Sequence, residues 1–299
     1  MQISRNYSKF APFLSCAMKL ISGRKELLNH LGSLRGAHES LGLVPTMGAL
    51  HEGHLSLVKK ALAENDSVVV TIFVNPTQFN NPDDLEKYPK TLDEDLALLG
   101  SVGQEITVFA PAVEELYNKG ITSKKYFFDG LDKVMEGAFR PGHFSGVATI
   151  VQKLFELIRP DKAYFGEKDF QQLQIVRKLA HNLPFDLQIV GCPIVREPNG
   201  LAMSSRNRLL SEEMREKAGL IYKTLKEAGR MFGTENATKV GEYVSGVFSG
   251  ESDMELEYFQ IADEATLTPV KRKQENSKYR GFIAVYAEGI RLIDNIAMN

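Results

Sequence analysis

The chain has 299 residues, enough for about two domains, and 43% hydrophobic with 25% charged residues is ordinary for a folded protein. The 36 Lys and Arg residues against 38 Asp and Glu give a net charge of −2, which excludes a generally basic surface that coats nucleic acid. No apolar run reaches the roughly 18 residues that a membrane-spanning helix needs. Two cysteines, Cys16 and Cys192, are too few for a disulfide framework and favour the reducing cytoplasm.

Residues 1–17 place Arg5 and Lys9 before a short apolar patch over 10–16. The patch barely reaches the apolar length of a secretory signal. We therefore expect a disordered or start-site extension over 1–17, with a targeting peptide as the alternative. The regular pattern begins at Met18.

Short apolar runs alternate with amphipathic stretches through the first two thirds of the chain. The periodicity predicts strands over 41–46, 67–74, 105–109, 163–165 and 187–192, and helices over 55–64, 92–99, 147–158 and 173–180. Strands separated by helices indicate a parallel sheet with crossovers, so the predicted fold class is α/β, doubly wound and Rossmann-like. Ligands of such folds bind at the carboxyl ends of the strands.

The last third of the chain has a different pattern. It predicts one long charged helix over 211–232, a second helix over 239–248, and strands over 256–261 and 282–287. We expect a nucleotide-binding domain over 18–194 and a smaller α+β lid domain over 195–299, with a cleft between them.

The first predicted strand runs into a turn with two histidines, Pro45-Thr46-Met47-Gly48-Ala49-Leu50-His51-Glu52-Gly53-His54. His51 and His54 are three residues apart, so they share a face on a helical turn. A helix start also presents unpaired N–H groups and a positive dipole end, which suits a polyphosphate. The alternatives are two surface histidines on a glycine turn, or a metal pair whose third ligand has no obvious spacing.

Two further polar clusters follow predicted strands. Asn75 and Gln78 offer neutral amides that suit hydroxyl and carboxylate groups, or they are solvated amides of an Asn-Pro turn. Lys168 in the run Gly166-Glu167-Lys168-Asp169-Phe170-Gln171-Gln172 can meet a phosphate. The alternative there is a helix capping box of Asp169 and Gln172.

Two more clusters lie in predicted loops. Met203-Ser204-Ser205-Arg206-Asn207 offers hydroxyls and a guanidinium for phosphate oxygens, or it is a polar interdomain linker. Arg140-Pro141-Gly142-His143 is a weaker cluster whose alternative is a surface turn. The chain has no P-loop, no Gly-x-Gly-x-x-Gly and no Gly-x-Ser-x-Gly. Cys192 lies in an apolar run and is expected to be a buried packing residue.

Together and in this order, these clusters resemble the pantothenate synthetase (pantoate–β-alanine ligase) family from about residue 18 to residue 296. His-x-Gly-His alone indicates only the nucleotidyltransferase superfamily shared with class I aminoacyl-tRNA synthetases. The resemblance also covers 140–144 and the closing Arg291-Leu292-Ile293-Asp294-Asn295. Residues 1–17 lie outside it.

The resemblance implies a two-step ligation that uses ATP with Mg²⁺. Pantoate and ATP give pantoyl adenylate and pyrophosphate, and the amine of β-alanine then releases pantothenate and AMP. By resemblance, His54 is the catalytic histidine, and His51, Lys168, Ser204, Ser205 and Arg206 are the other donors that offset the phosphate charge, the imidazoles acting as cations. Pantoate is implied at Gln78 and Gln172, with Asn75 beside them. ATP is implied along Met47, Gly48, Ala49, Leu50, His51, Glu52, Gly53, His54, Gly166, Glu167, Lys168, Asp169, Val195, Met203, Ser204, Ser205 and Arg206.

Several points stay open from the sequence. The acidic stretch Asp93-Glu94-Asp95 is a candidate metal site by resemblance, but Thr91 and Glu94 have the spacing of a capping box. The resemblance suggests a homodimer through the N-terminal domain. The cysteine usage, net charge and apolar run lengths favour a cytoplasmic protein with no nucleic-acid or membrane partner. The alternatives to a ligase are a nucleotidyltransferase of the same fold that acts on a phosphorylated acceptor, and a nucleotide-binding protein without catalysis.

Overall fold

The computed structural model describes residues 18–37, 39–80, 82–102, 105–117 and 120–298. The expectations for residues 1–17 and for Cys16 lie outside these ranges. Within these ranges, no helix has the length and apolar character needed to span a membrane.

The first unit is built on a six-stranded parallel sheet with the order β1-β4-β3-β2-β5-β6. Its strands are β1 (Lys19–Ile21), β2 (Leu41–Thr46), β3 (Ser67–Ile72), β4 (Thr107–Phe109), β5 (Lys162–Gly166) and β6 (Gln188–Cys192). The helices of this unit are α1 (Arg24–Gly36), α2 (Glu52–Glu64), α3 (Pro82–Lys87), α4 (Leu92–Gly100), α5 (Val113–Leu116), α6 (Met135–Phe139), α7 (His143–Ile158) and α8 (Phe170–His181). The predicted doubly wound α/β fold is confirmed.

Alternate residues of β3 explain why both faces of the sheet are covered. Val69 packs with apolar residues of α1, α7 and α8, while Val68 and Val70 pack with those of α2 and α4. Successive side chains of a strand point to opposite faces, so a continuous β-branched run suits a strand between two helical layers. The strand order reverses beside β2, and the carboxyl ends of β2 and β5 therefore flank a crevice.

The second unit is an antiparallel sheet covered by helices on its apolar face. Its elements are α9 (Glu212–Lys217), α10 (Leu220–Phe232), α11 (Ala237–Ser249), β7 (Met254–Asp263), β8 (Tyr279–Ala287) and β9 (Ile290–Ala297), with the strand order β7-β8-β9. This unit has an apolar core of its own, which begins at Leu201. The boundary predicted at residue 194 falls between the end of β6 at Cys192 and Leu201.

The single helix predicted over 211–232 is wrong, because the chain forms α9 and α10 with a break at Ala218 and Gly219. The side-chain amide of Asn199 donates to the carbonyl oxygens of Arg215 at 2.8 Å and Glu216 at 3.1 Å, which takes them out of a continuing helical ladder. A Cβ at Gly219 would lie 2.7 Å from the carbonyl oxygen of Asn199. Glycine therefore permits the close approach that ends α9. The sequence patterns also missed β1, β9 and the helices α1, α3, α5 and α6.

Candidate active site

One large cavity opens at the carboxyl ends of β2, β3, β5 and β6 and is closed on its far side by the loop that enters the second unit. It brings together most of the predicted site residues, namely Met47, His51, Gly53, His54, Asn75, Gln78, Gly166, Lys168, Asp169, Gln172, Val195, Met203, Ser204, Ser205 and Arg206. Five others do not line it: Gly48, Ala49, Leu50, Glu52 and Glu167. The side chains of Ala49, Leu50, Glu52 and Glu167 thus lie outside the lining of this cavity.

The turn before the histidines is shaped by a buried carboxylate. Gly48 and Ala49 have φ angles of 90° and 51°, in the left-handed region that favours glycine. The Asp95 carboxylate accepts hydrogen bonds from the backbone N–H of Ala49 at 3.1 Å and of Leu50 at 2.7 Å. A Cβ at Gly48 would lie 3.0 Å from one of those carboxylate oxygens. These contacts fix the direction in which the chain enters α2.

His51 and His54 lie at the first turn of α2 with their ring centroids 4.1 Å apart. Nδ1 of His51 accepts from the N–H of Gly53 at 3.1 Å, and Nδ1 of His54 accepts from the N–H of His51 at 3.3 Å. A neutral imidazole whose Nδ1 accepts carries its proton on Nε2. The helix cap therefore prepares two Nε2–H donors on the wall of the cavity.

The expectation that these two imidazoles are cations is wrong for the chain without a ligand. Burial, followed by the nearby charge of Lys168, lowers the pKa of His51 to about 4. Burial, His51 and Lys168 lower the pKa of His54 well below its ordinary value. Charged imidazoles are disfavoured because they would lose hydration beside an existing cation. Both histidines are thus neutral donors at pH 7.

The positive charge of the cavity comes from Lys168, Arg140 and Arg206, which all line it. Arg206 pairs with Asp84 at 3.1 Å, and Arg140 lies 3.7 Å from a carboxylate oxygen of Glu136. An incoming polyphosphate can compete with these carboxylates for the two guanidinium groups, which are partly exposed.

The structure also decides the alternative of a helix capping box at α8. Asp169 is the N-cap residue of α8, but its side chain accepts no capping hydrogen bond from the described backbone. The capping-box interpretation of Asp169 and Gln172 is therefore wrong. Gln172 lines the cavity instead.

Asn75 is buried at 1% exposure, so the alternative of a solvated amide is wrong for it. Its Nδ2 donates to Oε1 of Gln78 at 3.0 Å and to the carbonyl oxygen of Gly146 at 3.2 Å. Its Oδ1 accepts from the hydroxyl of Tyr117 at 2.7 Å. These protein contacts occupy the Asn75 amide and orient Gln78 at the cavity wall.

Helix α7 packs tightly against the short 3-10 turn Pro76–Gln78, which carries the amide of Gln78. A Cβ at Gly146 of α7 would overlap the carbonyl oxygen of Thr77. Glycine is needed at position 146 because no side chain fits between the helix and the turn. This close approach sets the depth of Gln78 in the cavity.

Arg140 and His143 belong to the cavity wall, so the alternative of a surface turn is wrong. His143 lies 2.8 Å through Nδ1 from the carbonyl oxygen of Gln78, and since a carbonyl only accepts, Nδ1 carries the proton. Nε2 then accepts from Nη1 of Arg140 at 3.3 Å. Burial and Arg140 lower the pKa of His143 to about 4, which keeps the imidazole neutral. The sequence signal for this pair was only the Arg-x-x-His spacing.

Two carboxylates of the acidic stretch over 93–95 have partners within the protein. The Asp95 carboxylate holds the turn before α2, and Glu94 pairs with Arg208 at 3.1 Å. The predicted capping box of Thr91 and Glu94 is wrong, because the Thr91 hydroxyl donates to Asp95 at 3.2 Å. Across the described ranges, no three His, Cys, Asp or Glu residues are grouped as metal ligands.

Cys192 is free and buried, as predicted, and burial raises its pKa to about 11.

Residues 19–297 match the model of one protein family, Pantoate-beta-alanine ligase. The chain belongs to the pantoate–β-alanine ligase family. It is 53% identical over 282 residues to the pantothenate synthetase of Christiangramia forsetii, an alignment that covers 94% of this chain and 100% of that one. The family resemblance read from the motifs and the enzyme class it implied are confirmed.

Solved structures of this ligase family share the fold. Pantothenate synthetase from Thermus thermophilus superposes with a TM-score of 0.86 at 40% identity, covering 94% of this chain and 99% of that one. Pantoate-beta-alanine ligase from Francisella tularensis, crystallised with beta-gamma ATP and beta-alanine, gives a TM-score of 0.78 at 36% identity, with 94% and 98% covered. Both matches span the two units described above.

Proposed function

We propose that this ligase condenses pantoate with β-alanine in the cavity between its two units, by way of a pantoyl adenylate. ATP enters as the Mg²⁺ complex, and the metal is part of that substrate. The single observation that carries the assignment is the mixed lining of one cavity. Imidazole donors and three cations line it together with two amides and apolar residues of α7.

The apolar residues of this lining suit the dimethyl group of pantoate. Val147, Ile150 and Val151 of α7 line the cavity, and Gln78 and Gln172 provide polar groups in the same lining. A neutral amide can donate to the carboxylate and accept from a hydroxyl without holding the acid as a tight ion pair. The carboxylate therefore stays available to attack the α-phosphorus of ATP.

The imidazoles and cations of this lining supply stabilisation to the leaving pyrophosphate. The Nε2–H groups of His51 and His54 and the ammonium of Lys168 can meet the charge that builds up on the phosphate oxygens as the bond to the leaving group breaks. A neutral imidazole binds ground-state ATP more weakly than an imidazolium would, so more of its effect is expressed in the transition state. Ser204, Ser205 and Arg206 are proposed to hold the other phosphate oxygens from the second unit.

The second step needs an amine nucleophile and protection of the adenylate from water. We propose that residues 195–299 act as the lid, because the loop over 203–206 both lines the cavity and leads into that unit. The amine attacks the acyl carbon, the AMP oxygen leaves with the bonding electrons, and the proton lost by the amine passes to solvent or phosphate. The products are pantothenate and AMP.

Exchange of labelled pyrophosphate into ATP, measured before β-alanine is added, tests the proposal. Exchange should require pantoate, and His54→Ala should reduce its rate by about 10²- to 10³-fold, as loss of one oxyanion donor does. His181→Ala is the matched control, because His181 is exposed at the end of α8. Exchange without pantoate, or a normal rate in His54→Ala, would refute the assignment.

The nucleotidyltransferase alternative is separated by its product. A nucleotidyltransferase leaves the nucleotide in a stable adduct with a phosphorylated acceptor, whereas the ligase releases AMP in proportion to the β-alanine consumed. The amides and apolar residues of the lining favour a branched acid without a phosphate over a phosphorylated acceptor. Chromatographic analysis of the products distinguishes the two.

We also propose a homodimer formed through the first unit and a cytoplasmic location. Phe127 is 81% exposed, and an interface would remove this large apolar surface from water. Sedimentation of the purified chain should give a dimer, and Phe127→Ser should shift it toward the monomer. A monomer at all concentrations would contradict the assembly without touching the catalytic proposal.

A further inference from the structure

Strand β9 carries the motif Arg291-Leu292-Ile293-Asp294-Asn295, which the two reaction steps leave without a role. Arg291 makes paired hydrogen bonds to the Glu136 carboxylate of the first unit at 2.7 and 2.8 Å. Asp294 accepts two hydrogen bonds from Arg196, at 2.6 and 3.0 Å, in the segment that joins the two units. The polar residues of β9 thus attach the second unit to the edge of the cavity.

Asn295 makes the most direct of these contacts with the site. It is buried at 1% exposure. Its Nδ2 donates to the backbone carbonyl oxygens of Glu167 at 2.9 Å and of Lys168 at 2.8 Å. Its Oδ1 accepts from Nη1 of Arg280 at 2.6 Å. Two donors and one acceptor are therefore all used, and among side chains of this size an amide offers that set.

The two carbonyl groups belong to the 3-10 turn Glu167–Asp169, which carries the Lys168 ammonium into the cavity. Such turns have poor internal hydrogen-bond geometry and hold their own backbone weakly. A lysine stem has four flexible carbons, so the ammonium is placed reproducibly only if the backbone beneath it is fixed. The fixing contact comes from the second unit, far along the chain from the turn.

We propose that Asn295 is a positioning residue for Lys168: it holds the turn from the second unit, so that docking of that unit and placement of the ammonium occur together. This inference rests on the role proposed above for Lys168 in adenylation. Asn295 itself lies under the backbone of the turn and is assigned no contact with substrate.

A double-mutant cycle on pantoate-dependent pyrophosphate exchange tests the inference. Asn295→Ala should lower the maximal exchange rate by about 10- to 100-fold, the range that a small misplacement of a catalytic group produces. Lys168→Ala should lower it at least as much. The double variant should be no slower than Lys168→Ala alone, because a residue that acts only through Lys168 has nothing further to lose.

A variant that keeps the fold and a matched control complete the experiment. Asn295→Asp preserves an acceptor for Arg280 but removes both donors, so it should show the same dependence on Lys168. Val285→Ala weakens the core of the same sheet, where Val285 is fully buried and does not line the cavity. It should lower the Tm, and any loss of rate should multiply with that of Lys168→Ala.

The outcomes separate the two proposals. Multiplicative losses of Asn295→Asp and Lys168→Ala, or an unchanged rate in both Asn295 variants, would overturn the positioning role alone. An unchanged rate in Lys168→Ala would overturn the proposed role of Lys168 in adenylation, and the positioning role with it.

Discussion

The Asp95 carboxylate offers a sharp test of how the turn before α2 is held. Asp95 is 1% exposed and accepts hydrogen bonds from the N–H groups of Ala49 and Leu50. In Asp95→Asn, one oxygen can still accept from one N–H group, but the new NH₂ group faces the other N–H group, donor against donor. The substitution keeps the size of the side chain and changes only its hydrogen bonding.

The expected loss of stability follows from those contacts. A hydrogen bond to a charged group contributes about 1.5–3 kcal/mol, and a buried donor left without a partner costs about 1–3 kcal/mol. Release from burying a charge offsets part of this sum. We therefore expect Asp95→Asn to lower the free energy of unfolding by about 3 kcal/mol.

Urea-induced unfolding followed by far-ultraviolet circular dichroism measures this loss, a suitable probe because the chain has no tryptophan. Asp93→Asn is the matched control: it makes the same substitution in the first turn of the same helix, at an exposed position. The reasoning is refuted if the two variants unfold within about 0.5 kcal/mol of each other, the usual range for surface changes.

Three further predictions concern other walls of the cavity. Folding lowers the pKa of His143 from 6.5 to about 4. As the pH drops through this range, the unfolded chain binds a proton on this imidazole that the folded chain does not bind. The free energy of unfolding therefore declines by up to about 1.4 kcal/mol per pH unit. Replacement of His143 by Asn should reduce that slope in unfolding titrations, and the exposed His181→Asn should not. Gly146→Ala should raise the KM for pantoate and lower the Tm, since a methyl group there overlaps the turn Pro76–Gln78. The control Gly241→Ala, which places its methyl group in open space on α11, should raise the free energy of unfolding by about 0.5–1 kcal/mol. Gln172→Ala should weaken use of pantoate in steady-state assays while calorimetry shows ATP binding retained. An unchanged KM for pantoate in this variant would contradict the role of Gln172.

The alternation of strands and helices along the chain and the positions of the motifs at the strand ends could be predicted because both depend on local sequence. The run over 67–74 is long, apolar and β-branched, and it forms β3 between two helical layers. The histidine pair follows its strand directly, so its location required only the strand–turn–helix rule. By contrast, β1 has three residues, too few for a periodic signal.

The contacts that set the chemistry of the site join distant parts of the chain, and no local pattern predicts them. Asp95 lies 45 residues from the Leu50 N–H that it holds. The neutral state of the two imidazoles depends on burial and on Lys168, which folding brings beside them. The break between α9 and α10 depends on Asn199, which precedes both helices. Each of these features depends on contacts that exist only in the folded chain.

The use of histidine as the cap of α2 limits what can be changed there. Serine or asparagine at position 51 would cap the helix at least as well, as these residues are the commoner N-caps. Either one would nevertheless leave a shorter side chain where the Nε2–H of His51 now reaches the cavity. Efforts to make this protein more heat-resistant by improving its helix ends should therefore leave position 51 unchanged, since any gain in helix stability would be accompanied by a slower reaction.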